Sequence, residues 1–147
     1  MMTDDAQQLI AALGLKAHPE GGWYRETWRG PAGTDGRASG TAILFLLDAG
    51  QRSHWHRVDA TEIWFWHAGA PIRLSIAEDD AGPVVDHVIG GDIARGASAQ
   101  AIVPEHAWQA AEPLGGWALV SCTVTPGFDF AGFVLAPPDW APGNGPT

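Results

Sequence analysis

SHWHRVDATEIWFWHAG, residues 53–69, carries the reading that decides the fold. Side chains alternate sides along an extended strand, so residues i and i+2 share a face. His54 and His56 then project together, while Ser53, Trp55 and Arg57 project the other way; Glu62, Trp64 and Trp66 share a face of the following segment. Residues 58–61 can turn the chain and return Glu62 beside the two imidazoles. The stretch therefore reads as two strands joined by a turn, with polar groups gathered on one side.

The chain on either side repeats this pattern. WYRETW (23–28) alternates aromatic and charged residues, and TAILFLLD (41–48) is apolar on both faces, as a strand covered on both sides is. Further strand candidates are PIRLSIAE (71–78), VVDHVIG (84–90), AQAIVP (99–104), HAWQAAE (106–112), WALVSCTVT (117–125) and FAGFVLA (130–136). Turn signals such as DDAGP (79–83), GGD (90–92), PLGG (113–116) and PGFD (126–129) separate them, and PAGTDGRASG (31–40) is a polar loop. Short strands at this spacing imply an all-β sandwich or barrel. Residues 3–14, TDDAQQLIAALG, are the exception. Thr3 or Asp4 can cap a short helix, Gly14 can close it, and Ala6, Leu9, Ile10 and Leu13 form its apolar stripe. PPDWAPGNGPT (137–147) reads as a loosely held tail. No linker or repeat divides the chain, so residues 1–147 are expected to form a single domain.

Composition narrows the function classes. The 147 residues carry 8 Lys and Arg against 17 Asp and Glu, a net charge of −9. That balance disfavours nucleic acid, whose binding rests on cationic side chains meeting phosphates, and disfavours anionic membrane surfaces. The apolar runs are far shorter than the roughly 20 residues that cross a bilayer. No basic segment followed by an apolar run opens the chain, so no signal peptide is expected and a cytoplasmic protein is the default. The single cysteine, Cys122, excludes an internal disulfide framework, and it sits in an apolar strand with no basic neighbour to activate it. Eight tryptophans are many for this length and suit the walls of a small-molecule pocket or an interface.

Two imidazoles and a carboxylate admit two chemistries: the facial triad of a metal site, or a general acid–base pair. At this point a resemblance enters. Gly50, His54, His56, Glu62 and Gly69 resemble the first motif of the cupins, small jelly-roll barrels, and Pro104-Glu105-His106-Ala107-Trp108-Gln109 stands where their second motif, Pro-x-Gly-x-x-His, is expected. More narrowly, HPEGGWYRETWRG (18–30), TAILFLL (41–47), HRVDATEIWFWHAG (56–69) and CTVTPGFDF (122–130) are similar to the DUF985 or cupin_5 family, described as predicted sugar epimerases. The resemblance spans roughly residues 9–140 and implies a cupin jelly-roll barrel behind a short N-terminal helix. It also implies a homodimer, which would cover the edge strands of a small sheet protein.

Departures from the pattern matter as much. Gln109 replaces the usual fourth ligand, and an amide oxygen is a poor partner for a borderline metal. His54 and His106 are additions to the narrower family's pattern; together they could replace the missing ligand, giving a divalent transition-metal set of His54, His56, Glu62 and His106. The metal-free reading is favoured: His56 and Glu62 as the acid–base pair, with Tyr24, the only tyrosine, as an additional acid. Gln109, Trp64, Trp66 and Trp108 are expected to touch the ligand, and Arg25 or Arg57 to anchor an anionic group. HPEGG (18–22) reads first as a turn that launches the next strand, with His18 and Glu20 as secondary candidates for ligand contact. The implied activity is isomerase- or epimerase-type chemistry on a sugar-like or carbonyl compound. A metal-dependent oxygenase or lyase and a non-catalytic binding module are the alternatives.

Overall fold

The computed structural model describes residues 3–143. One helix, α1 (Asp4–Leu13), precedes eleven strands: β1 (Lys16–Ala17), β2 (Trp23–Arg29), β3 (Thr41–Leu47), β4 (Ser53–Val58), β5 (Thr61–Gly69), β6 (Ile72–Ala77), β7 (Val85–Ile89), β8 (Gln100–Val103), β9 (Trp108–Pro113), β10 (Ala118–Thr125) and β11 (Phe133–Leu135). They form two antiparallel sheets, ordered β1-β2-β3-β10-β5-β8 and β11-β4-β9-β6-β7. This is the jelly-roll arrangement, with one correction: the sheets face one another without closing into a continuous barrel. Among the described residues β7 and β8 share no ladder, and an open recess lined by Val85, His87 and Ile102 lies between them.

The space between the sheets is filled by Phe45, Leu47, Trp64, Leu74, Ile89 and Val120, among others. Strand β10 shows how the pattern works. Ala118, Val120, Cys122 and Val124 alternate inward and are buried, as the period of two requires. Strand β3 is covered on both faces: Phe45 and Leu47 enter the core, while Leu44 and Leu46 pack under Ala6, Leu9, Ile10 and Leu13 of the helix. The continuous apolar run of TAILFLL follows from that double burial.

Helix α1 is fixed at both ends. Thr3 Oγ1 accepts from the Ala6 N–H and donates to Asp48 Oδ1 at the end of β3, and Gly14 closes the helix in the left-handed conformation with φ 66°. Thr3→Ala is expected to cost about 1 kcal/mol in urea denaturation. Among the described residues no helix is long and apolar enough to cross a membrane.

The C-terminal stretch departs from the sequence expectation. Residues 137–143 are docked: Trp140 is buried against Trp108 with ring centroids 4.4 Å apart, and the Gly143 N–H donates to the Asp80 carbonyl. Trp55, Ala77, Ala110 and Ala136 complete this second apolar layer on the outer face of the β4–β9–β6 sheet. A tryptophan amid prolines has area enough to hold a segment that composition alone marks as free. Residues 144–147 lie outside the described part.

Candidate functional site

A cavity of about 70 Å³ opens between the sheets at the end marked by β2, β3 and β4. That is room for several waters or a small organic group. His56 enters it from β4 in one sheet, Glu62 from β5 in the other, and His18 and Glu20 from the turn before β2. Tyr24, Ile43, Val58, Cys122, Phe128 and Phe130 supply further wall.

The local fold accounts for which side chains arrive. Ser53 pairs with Ala111 and His56 with Gln109, so two residues of β4 oppose one of β9 between those pairs. This bulge breaks the alternation. Ser53 and His56 therefore both face inward, and His54 does not join them; its Nε2 lies 2.8 Å from the Pro137 carbonyl. The expected projection of His54 and His56 together is thus corrected. His106 is also elsewhere, exposed on a turn with φ 66°, its N–H donating to the Val58 carbonyl. Gln109 does reach the interior, where its Oε1 accepts from Trp64 Nε1 at 2.8 Å and its Nε2 donates to Glu62 Oε1 at 2.8 Å. Its amide is engaged on both sides and spans the two sheets. The set His54, His56, Glu62 and His106 does not converge. Among the described residues no three His, Cys, Asp or Glu side chains are grouped to hold an ion. The predicted ligand set is therefore not assembled, and the groups that do line the cavity are suited to proton transfer.

Protonation in the cavity follows from burial. His56 Nδ1 lies 2.7 Å from the His54 carbonyl, an acceptor only, so Nδ1 carries the proton and Nε2 keeps its lone pair. Nε2 faces Glu20 Oε2 at 3.4 Å. Burial lowers the His56 pKa, although the nearby Glu62 carboxylate opposes the shift. Burial pushes Glu20 up to about 8, against the hydrogen bond it accepts from Ser53 Oγ. It pushes Glu62 up to about 7, against the attraction of His56. His18 is brought down to about 4 by burial and by repulsion from His56; its Nδ1 accepts from the Glu20 N–H at 3.1 Å, as a neutral imidazole does. Burial also raises the Cys122 thiol well above its usual range, and the protonated sulfur sits beside Glu62.

A pH dependence of stability follows. Glu20 and Glu62, raised from 4.5, favour the folded state fully at low pH and lose that contribution as pH rises through about 7 and 8. His18 and His56, lowered from 6.5, act oppositely: their contribution is present above 6.5 and is lost as pH falls. The two slopes oppose one another between pH 4.5 and 6.5. Above 6.5 only the carboxyls act, so urea denaturation should show stability falling by about 2 kcal/mol between roughly pH 6.5 and 8.5. Glu20→Gln should remove most of that fall; a rise over the same interval would contradict neutral carboxyls in the cavity.

The remaining candidates divide. Tyr24 lines the cavity, its ring 4.5 Å from that of His18. Trp64 is core, held by Gln109, and Trp66 donates its indole N–H to the Ala70 carbonyl. Trp108 lies on the outer face, where its Nε1 donates to Asp80 Oδ1 and Arg57 stacks over its ring at 4.7 Å. Arg25 pairs across from Leu44, on the helix side of β3. None of these three tryptophans and neither arginine lines the cavity. The arginine that does is Arg29, and His18 and Glu20, which the sequence places first in a turn, line the cavity as well. The density of polar residues in HPEGG was the available signal.

Comparison with known proteins agrees with this architecture. A family described as the cupin superfamily (DUF985) matches residues 7–136. A Shewanella oneidensis protein of solved structure is 35% identical, with a TM-score of 0.83 over 92% of this chain and 85% of that one. A hypothetical protein from Leishmania major is 32% identical, with a TM-score of 0.80 over 89% of this chain and 86% of that one. Oxalate decarboxylase from Bacillus subtilis shares the fold at 14% identity and a TM-score of 0.60, over 81% of this chain but 29% of that one. No functionally curated protein matches. With its two-sheet jelly roll and a family match over residues 7–136, the chain belongs to the Cupin_5 (DUF985) family of the cupin superfamily.

Proposed function

We propose that the cavity performs acid–base chemistry of the isomerase or epimerase type on a small carbonyl or sugar-like compound. The observation that supports this reading most is the approach of three buried proton-transfer groups from three separate elements: His56 with a free Nε2, and the carboxyls of Glu20 and Glu62. Such a reaction breaks a C–H bond beside a carbonyl. The proton goes to a base, the electron pair moves into an enolate, and an acid hydrogen-bonds the developing oxyanion.

His56 and Glu62 come from opposite sheets, so a substrate between them meets one group on each side. In the proposed cycle ionised Glu62 removes the proton from carbon, and protonated Glu20 donates a hydrogen bond to the enolate oxygen. His56, protonated at Nε2 by solvent once Glu62 has taken the first proton, returns a proton to the opposite side of the carbon while Glu20 keeps its own. Solvent then restores the starting protonation. Carboxyls raised to about 7 and 8 are matched to this exchange near neutral pH.

The test is solvent exchange. In D₂O, a panel of small ketones, 2-oxo acids and ketoses should lose signal at the carbon beside the carbonyl faster with protein than without it, followed by proton NMR. Compounds that bind saturably but never exchange would instead make the protein a small-ligand binding module.

A further inference from the structure

Arg29 reaches the cavity through an irregularity in β2. Tyr24 pairs with Phe45 and Glu26 with Ile43, both directed inward, but Trp28 pairs with Ala42 and Arg29 with Thr41. Thr27 is the extra residue, its hydroxyl donating to the Ala42 carbonyl at 3.2 Å. Without this bulge the alternation would place Arg29 on the same side as Arg25, away from the cavity. With it, Arg29 joins Tyr24 and Glu26 on the cavity wall, and Trp28 turns outward to 52% exposure.

Arg29 also stands at a boundary. An outer recess of about 280 Å³ adjoins the inner cavity, and the two share Arg29, Phe128 and Phe130. The guanidinium is half exposed; its Nε meets Glu26 Oε1 at 2.8 Å, and one terminal nitrogen donates to the Phe128 carbonyl at 3.2 Å. A solvent-exposed pair of this kind is weak and can exchange partners. Arg37, the other cation of the recess, is committed: it forms a two-pronged pair with Asp59, and its Nε donates to the Gly127 carbonyl. Asp129, the acid of the recess, accepts from the Ala131 N–H.

We propose that Arg29 is the specificity residue for an anionic substituent, a carboxylate or a phosphate, on the compound whose carbonyl enters the inner cavity. The ligand anion takes the place of Glu26 on the guanidinium, which offers the planar fork such groups match. The proposal deepens the acid–base reading and rests on it for the location of the substrate, but the binding measurement below does not depend on turnover.

The probes are two matched pairs: pyruvate with pyruvamide, and dihydroxyacetone phosphate with dihydroxyacetone. Binding to the intact protein is followed by chemical-shift titration. In at least one pair the anion should bind ten-fold or more tightly than its neutral partner, and the pair that does so tells carboxylate from phosphate. Arg29→Gln should abolish the preference, Arg29→Lys should keep part of it, and Glu26→Gln should strengthen anion binding a few-fold by freeing the guanidinium. Equal binding within both pairs, no binding in either, or a preference that survives Arg29→Gln overturns the assignment. A preference that holds while no probe exchanges deuterium leaves Arg29 in place and removes the catalytic reading.

Discussion

Glu62→Gln is expected to slow deuterium exchange on any substrate of this cavity by about 100- to 10,000-fold while the protein stays folded. The substitution keeps size and shape, and a glutamine Oε1 can still accept the bond that Gln109 Nε2 gives to Glu62. What disappears is a proton-transfer group whose pKa burial has raised to about 7. Since the unfolded carboxyl ionises from about pH 4.5 while the native one stays protonated up to about 7, the neutral variant should match the wild type near pH 4.5 and be progressively more stable than it from there up to pH 8. Glu62→Asp is the companion: it remains ionisable but is shorter, and so draws back from Gln109. It should keep a measurable exchange rate with lower stability. Exchange rates and urea midpoints together separate loss of chemistry from loss of fold. Full exchange and unchanged ligand binding in Glu62→Gln would show that the reacting group lies elsewhere.

The strands were legible in the sequence because most of them obey a period of two, and β10 and β5 keep it along the inward run that carries Glu62, Trp64 and Trp66. The site was legible only where that period survived. His56 and Glu62 were placed correctly in the interior, but His54 was grouped with them and Arg29 was passed over, each for the same physical reason. A bulge shifts the phase of a strand by one residue and leaves no mark in a pattern of apolar and polar letters. The bulge in β4 removes His54 from the cavity; the one in β2 delivers Arg29 to it. Glu20 was undervalued for another reason. A turn rich in Pro and Gly is ordinarily a surface feature, whereas this one folds inward so that its carboxyl is buried between His18 and His56. At the cavity these failures decide which side chains arrive, as they do when the site and not the scaffold sets the geometry.

That inward turn makes Gly21→Ala a severely damaging substitution. His18, Gly21 and Gly22 close the turn through the Gly21 N–H to the His18 carbonyl and the His18 N–H to the Gly22 carbonyl, and the His54 N–H docks it by donating to the Glu20 carbonyl. Gly21 has φ 110°, and a Cβ there would sit 2.1 Å from the carbonyl oxygen of Arg52. The obstacle is backbone leading directly into β4, so no side-chain rotation relieves it. Conformational strain alone costs about 1–3 kcal/mol, and the overlap adds more by forcing the turn away from β4. Against a typical total stability of about 5–15 kcal/mol, the variant should either fail to fold or lose several kcal/mol in urea denaturation. Gly36→Ala is the control: φ is 83° but nothing lies within 4 Å of the added Cβ, so only strain of about 1–2 kcal/mol is expected. If Gly21→Ala folds, Glu20 should have swung from its place between the two imidazoles, and the fall in stability above pH 6.5 should shrink with it. A Gly21→Ala protein as stable as Gly36→Ala, with that pH dependence intact, would mean that the turn does not hold Glu20 in the interior, and the acid–base assignment would lose its hydrogen-bond donor to the enolate oxygen.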